Sequence, residues 1–193
     1  REMHKELLLA TFILYATEML VPTHTTPPRC AQYDMKQFLN TPESIWTYKT
    51  TYTRNLSCEM NVMESITPSG IIYKRKFVFD QIRNEVPLRG MFLRLYPERM
   101  TVTTRGGRPV CAEILLYLAG DLSCAVIKIR PTGRRAKVRI ELRVRNSTVT
   151  RGTVQPDCRG YFHQAAGRRL TYQEYNRGCQ HAFIFSTLNV NAF

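Results

Sequence analysis

The chain predicts an all-β domain, an eight-stranded antiparallel barrel crosslinked by disulfides, and three observations carry that expectation. Apolar and polar residues alternate with period two in many segments between residues 44 and 145, which places successive side chains on opposite faces of strands. Short turn signals separate these segments, so neighbouring strands run antiparallel. Six cysteines occur without a C-x-x-C pair and without histidines at metal-ligand spacing, a pattern that favours disulfides over zinc or thiol redox chemistry.

The elements follow in order. A short helix is expected over 34–39. The first strand, 44–53, sets Trp46, Tyr48, Thr50 and Tyr52 on one face. The second, 56–67, turns at Pro68-Ser69-Gly70 into the third, 71–80. The fourth, 88–96, offers Met91, Leu93 and Leu95 on one side, and Pro97-Glu98 turns it into the fifth, 99–104. Gly106-Gly107-Arg108-Pro109 breaks the ladder before the sixth, 110–119. Gly120-Asp121 leads to the seventh, 122–130, and Pro131-Thr132-Gly133 to the eighth, 136–145. A second helix is expected over 157–167. Eight such strands closing on themselves remove exposed edges and leave an interior wide enough for one small ligand.

The 193 residues suit one domain with a real core. Met3-His4-Lys5 followed by the apolar run Leu7 to Ala16 has the form of a signal peptide, with cleavage between Ala16 and His24. The division is therefore 1–24 as signal and processing region and 25–193 as the barrel domain. Asn55-Leu56-Ser57 and Asn146-Ser147-Thr148 are glycosylation acceptors at Asn55 and Asn146. All of this predicts a secreted, extracellular, soluble monomer with no membrane partner.

A formal net charge of +13 invites a nucleic-acid reading, but the basic residues are dispersed and match no nucleic-acid motif. Attraction to anionic partners or glycans is the better expectation. No serine elbow, phosphate-cradling glycine loop or diagnostic carboxylate pair is present, and His163 and His181 lie in the tail. Neither catalysis, a metal nor a cofactor is expected.

Ser44-Ile45-Trp46-Thr47-Tyr48, Ser123-Cys124-Ala125-Val126, Glu141-Leu142 with Val144-Arg145-Asn146-Ser147, Pro156-Asp157-Cys158 and Tyr175-Asn176-Arg177-Gly178-Cys179 together resemble the tick salivary lipocalins related to the histamine-binding proteins. The resemblance covers nearly the whole mature chain, from Ser44 to Cys179. It implies a lipocalin-type barrel, secretion in saliva, and capture of host mediators such as histamine, serotonin or leukotrienes to evade host defence. It also implies the disulfides Cys58 with Cys179 and Cys124 with Cys158. Cys30 and Cys111 then pair by exclusion.

An amine scavenger needs carboxylates within an aromatic-lined cavity. The family's amine signature has an acid after the strand-seven cysteine, then Glu-Leu and an aromatic residue. Here these positions read Ala125 and Glu141-Leu142-Arg143. The eighth strand has one apolar face, Val138, Ile140, Leu142 and Val144, and one charged face, Lys137, Arg139, Glu141, Arg143 and Arg145. Physics alone turns the apolar face inward; the resemblance turns Glu141 inward, and a one-residue slip separates the two. With Glu141, Arg139 and Arg143 inside, the cavity suits a carboxylate, and a leukotriene-like ligand would lay its tail among Met91, Leu93, Phe77 and Phe79. Tyr48, Tyr52 and Tyr73 are further ligand candidates, and Trp46 is a candidate contact or plug. Glu59, Glu64, Asp80 and Glu113 are expected mostly to face solvent. The functional expectation is a scavenger of a host mediator, by the resemblance a biogenic amine such as histamine or serotonin. The alternatives are an anionic lipid mediator such as a leukotriene, and an immunomodulator acting through its outer surface on a host protein.

Overall fold

The computed structural model describes residues 33–52, 55–133 and 136–183. The signal-peptide expectation and Cys30 lie outside these. A one-turn helix, α1 (Met35–Leu39), is capped by Asp34, whose Oδ1 accepts from the Lys36 N–H at 2.8 Å. Eight strands follow: β1 (Ile45–Thr50), β2 (Leu56–Ile66), β3 (Gly70–Phe79), β4 (Ile82–Leu93), β5 (Tyr96–Thr104), β6 (Pro109–Leu118), β7 (Cys124–Pro131) and β8 (Arg139–Arg145). Each pairs antiparallel with the next. β1 closes the ring by pairing with both β8 and β2. A two-residue strand, β9 (Tyr172–Gln173), adds to β1.

The fourth strand begins six residues earlier than the sequence suggests. Asp80 and Gln81 both have positive φ, 47° and 65°, and form a two-residue hairpin turn from β3 straight into β4. Pro87 is tolerated within β4 because pairing with β5 starts only at Leu88, so one side of the strand is unpaired over residues 82–87.

Two helices follow the barrel, α2 (Asn146–Arg151) and α3 (Pro156–Ala166). The first has no counterpart in the sequence expectation. In α3 the residues Cys158, Phe162 and Ala166, one turn apart, are buried. They pack on the outside of β6, β7 and β8. This arrangement resolves the eighth strand. Its charged side chains Arg139, Glu141 and Arg143 point into the barrel, while Ile140, Leu142 and Val144 lie in an outer core under α3 with Phe162. The apolar face of β8 turns outward, against hydrophobicity alone, because it is covered by α3 rather than solvated.

The inner core contains Ile71, Tyr73, Leu88, Met100, Val102 and Ile127, and α1 inserts Met35, Phe38 and Leu39 into it. Thus α1 stops one end of the barrel. Arg145 holds it there, its Nη2 donating to the carbonyls of Phe38 at 2.9 Å and Gln37 at 3.3 Å.

Disulfides join Cys58 to Cys179 and Cys124 to Cys158. The first ties β2 to a 3-10 turn at Arg177–Gln180; the second ties β7 to α3. Cys111, buried on β6, has no disulfide partner among the described residues, and the expected partner, Cys30, lies outside them.

Candidate ligand-binding site

Every second residue of a barrel strand faces inward, and on four strands those positions include charges. β2 supplies Glu59 and Asn61, β3 Arg75, β6 Glu113, and β8 Arg139, Glu141 and Arg143, all of them buried. Three guanidiniums meet three carboxylates, so the layer is formally neutral. Arg143 is its centre. It grips Glu113 in a fork, Nη1 to Oε2 at 2.7 Å and Nη2 to Oε1 at 3.0 Å, and donates to Glu141 Oε2 from Nε at 2.9 Å and Nη2 at 2.7 Å. Arg139 Nε donates to the other Glu141 oxygen at 2.6 Å. Arg75 donates to Glu113 Oε1 at 3.2 Å and to Asn61 Oδ1 at 3.0 Å. Glu59 stands at the margin: it accepts from the Thr47 hydroxyl at 3.0 Å and lies 3.9 Å from Arg75 Nε.

Burial by itself would raise the Glu113 and Glu141 carboxyls. The charge of Arg143 on Glu113, and of Arg139 and Arg143 on Glu141, more than offsets it, and both are held below the usual carboxylate range. Both acids therefore stay ionised at neutral pH, and their hydrogen-bonding capacity is committed to arginines.

On the side of this layer away from α1 the barrel is open. A cavity of about 370 Å³ is walled by Leu56, Phe77, Phe79, Val86 and Leu88, with Glu59 and Arg75 on its polar side. An adjoining cavity of about 220 Å³ is lined by Tyr52, Cys111, Lys137 and Arg139. The two share Arg75 and Val110, and together they form a cup with an apolar wall and two arginines at its inner end. On the α1 side the space left between Leu39, Ile45, Tyr73, Met100 and Arg143 is only about 10 Å³, room for one water at most.

The structure brings together Glu141, Arg139 and Arg143, as the resemblance implied. Tyr52 stands at the edge of the cup. Tyr73 is buried in the inner core, with no partner for its hydroxyl among the described residues. Trp46 and Tyr48 belong elsewhere. They occupy the outward face of β1, because Ile45 and Thr47 take the inward one, and they pack on Tyr175 at ring separations of 5.2 and 6.0 Å. Trp46 Nε1 also donates to Asn146 Oδ1 at 2.9 Å. Met91 is exposed on the outside and is no part of the wall, whereas Phe77 and Phe79 are. Of the asparagines in the two acceptor triplets, Asn55 is exposed; the Asn146 oxygen accepts from Trp46 and from Gln180 at 3.0 Å.

Arg75, Glu59 and Glu113 are not among the candidates the sequence offers, which expects most of the strand acids to face solvent. A signal was present. Ile71, Tyr73, Arg75 and Phe77 form one alternating face, as do Cys111, Glu113 and Leu115, so a single charge interrupts an otherwise apolar stripe in each.

This closed antiparallel barrel, stopped at one end and open at the other, is a lipocalin-type fold. Comparison with solved structures agrees. The chain is similar to AM182, solved as a serotonin complex, with a TM-score of 0.57 and 18% identity over 77% of this chain and 93% of that one. It is also similar to Japanin from Rhipicephalus appendiculatus, solved bound to cholesterol, with a TM-score of 0.52 and 11% identity over 71% of this chain and 95% of that one. The lipocalin resemblance read from the sequence is thus met in the fold. No protein-family model and no curated protein sequence matches the chain. Among the described residues no group of side chains could hold a metal ion, and no helix is long and apolar enough to cross a membrane.

Proposed function

We propose that the protein is a secreted, ligand-sequestering lipocalin whose cup takes an apolar small molecule with an anionic head, of the fatty-acid-derived kind, and so removes a host mediator from solution. One observation carries this reading: Arg75 and Arg139 line an apolar cavity while Glu113 and Glu141 are already neutralised by arginine. A carboxylate entering the cup gains charge-assisted hydrogen bonds from guanidiniums that keep donors in reserve. An ammonium would have to compete with arginines for both deep acids.

Titration of a fluorescent fatty acid tests the proposal. Arg139→Gln should weaken binding by about tenfold to a hundredfold, the worth of one charge-assisted hydrogen bond. Unchanged affinity in that variant would refute the site.

A biogenic amine is the second reading. It rests on Glu59, which borders the cavity and has the loosest arginine contact of the three acids, and on the serotonin complex of the similar barrel. In that case Glu59→Gln would abolish serotonin binding while leaving fatty-acid binding intact. Action through the outer surface on a host protein is compatible with either ligand, since function resides in sites rather than in the fold.

A further inference from the structure

We propose that the rim of the cup docks on an anionic lipid bilayer and presents its opening to the membrane surface. The β3–β4 hairpin reaches the rim, and its two-residue turn is bracketed by Phe79 and Ile82, 43% and 66% exposed. Tyr52, just beyond β1, and Val138, just before β8, are further exposed apolar side chains at the same end. Single exposed apolar residues need no explanation, but four on elements that meet around one opening do.

Exposed Arg83, Arg108, Arg130 and Lys137 lie on the strand ends and connections of this end. No acid of the described residues is within ion-pair distance of any of the four; the opposing charges on the hairpin are Asp80 at its tip and Glu85, which is paired with Lys74 and Lys76. An apolar ring with interleaved cations matches the chemistry of an anionic leaflet, where each basic residue near the surface strengthens binding by about fivefold. The expected ligand class partitions into bilayers. Docking there would place the cup over its supply. This benefit rests on the ligand reading above; the docking itself does not.

The opposite end supplies the control. Leu95, at the β4–β5 turn, is 81% exposed and lies next to Tyr96 and Arg99, an apolar and basic patch at the end of the barrel away from the cup. Co-sedimentation with vesicles of phosphatidylcholine, with and without phosphatidylserine, reads the proposal on the full secreted chain. Binding should require phosphatidylserine, fall with added salt, drop about tenfold in Ile82→Glu, and stay unchanged in Leu95→Glu, which alters net charge equally. Equal losses in both variants would overturn the proposal, as would equal binding to vesicles lacking phosphatidylserine. So would self-association that Ile82→Glu abolishes in the absence of vesicle binding, because the face would then be a protein contact. Asn55 lies in the β1–β2 connection at this end, so binding seen only after Asn55→Gln would also overturn it for the glycosylated protein. Fatty-acid titration without vesicles keeps a failure of docking separate from a failure of ligand binding.

Discussion

Replacing Arg143 by Met removes the centre of the charge layer and leaves Glu113 with Arg75 alone and Glu141 with Arg139 alone. The interior then carries an uncompensated negative charge where Arg143 and Glu113 are fully enclosed. Breaking a buried pair from one side costs about 3 to 5 kcal/mol, much of it the penalty on the stranded partner. The double replacement Arg143→Met with Glu113→Leu restores neutrality: Arg75 and Arg139 face Glu59 and Glu141. It should lie within about 1 to 2 kcal/mol of the parent protein, so the coupling between the two sites is about 2 kcal/mol or more. Urea unfolding at neutral pH, followed by the fluorescence of the one tryptophan, Trp46, measures this directly. The pH dependence has a definite sign. Both carboxyls titrate lower in the folded state than in the unfolded one, so their contribution is present above the unfolded carboxylate range, near pH 4, and is lost as pH falls toward the folded values. The penalty in Arg143→Met should therefore shrink in acid, where the stranded carboxylate can be protonated. Additive effects of the two substitutions, or a penalty independent of pH, would refute the account of Arg143 as the neutralising hub.

Three further outcomes are expected. Replacing both Cys58 and Cys179 by Ala opens a loop of 121 residues and should cost about 5 kcal/mol on the entropic model, against about 4 for Cys124 and Cys158, separated by 34; thermal unfolding that ranks the two losses in reverse would contradict it. Cys111 is nearly buried in the wall of the cup and its thiol is pushed up to about 12 by burial, so it should resist alkylation at pH 8 in the native protein and react after unfolding, as read by peptide mass spectrometry; rapid native labelling, or a Cys30 to Cys111 peptide in a non-reduced digest, would contradict that. Glycan should be found on Asn55 and not on Asn146, whose side chain is tied to Trp46 and Gln180, and a mapped glycopeptide containing Asn146 would show that tie to be dispensable.

The barrel was legible because strand alternation and turn residues are local signals, and seven of the eight strands lie within a few residues of their expected positions. The fourth departed where a local rule gave way to context: Pro87 reads as a breaker until the missing β5 partner on one side of residues 82–87 is known. The orientation of β8 was not decidable by physics from the strand itself. Both its faces are buried, and what distinguishes them is α3, an element whose packing on β8 no local pattern announces. The aromatic face of β1 misled for the same reason, since Trp46 and Tyr48 are covered by the chain around Tyr175 rather than by the barrel's interior. Glu141, Arg139 and Arg143 were found through resemblance; Arg75 and Glu113 required reading charges as interruptions of apolar stripes on strands distant in sequence.

That β8 has no solvated side over its central residues bears on how such a protein could change its guest. Arg139, Glu141 and Arg143 contribute almost nothing to the molecule's exterior. If the cup binds a ligand as proposed, Arg139 could be exchanged at its inner end with the outer surface of β8 left as it is, so that recognition of the exterior and of the guest would be separable.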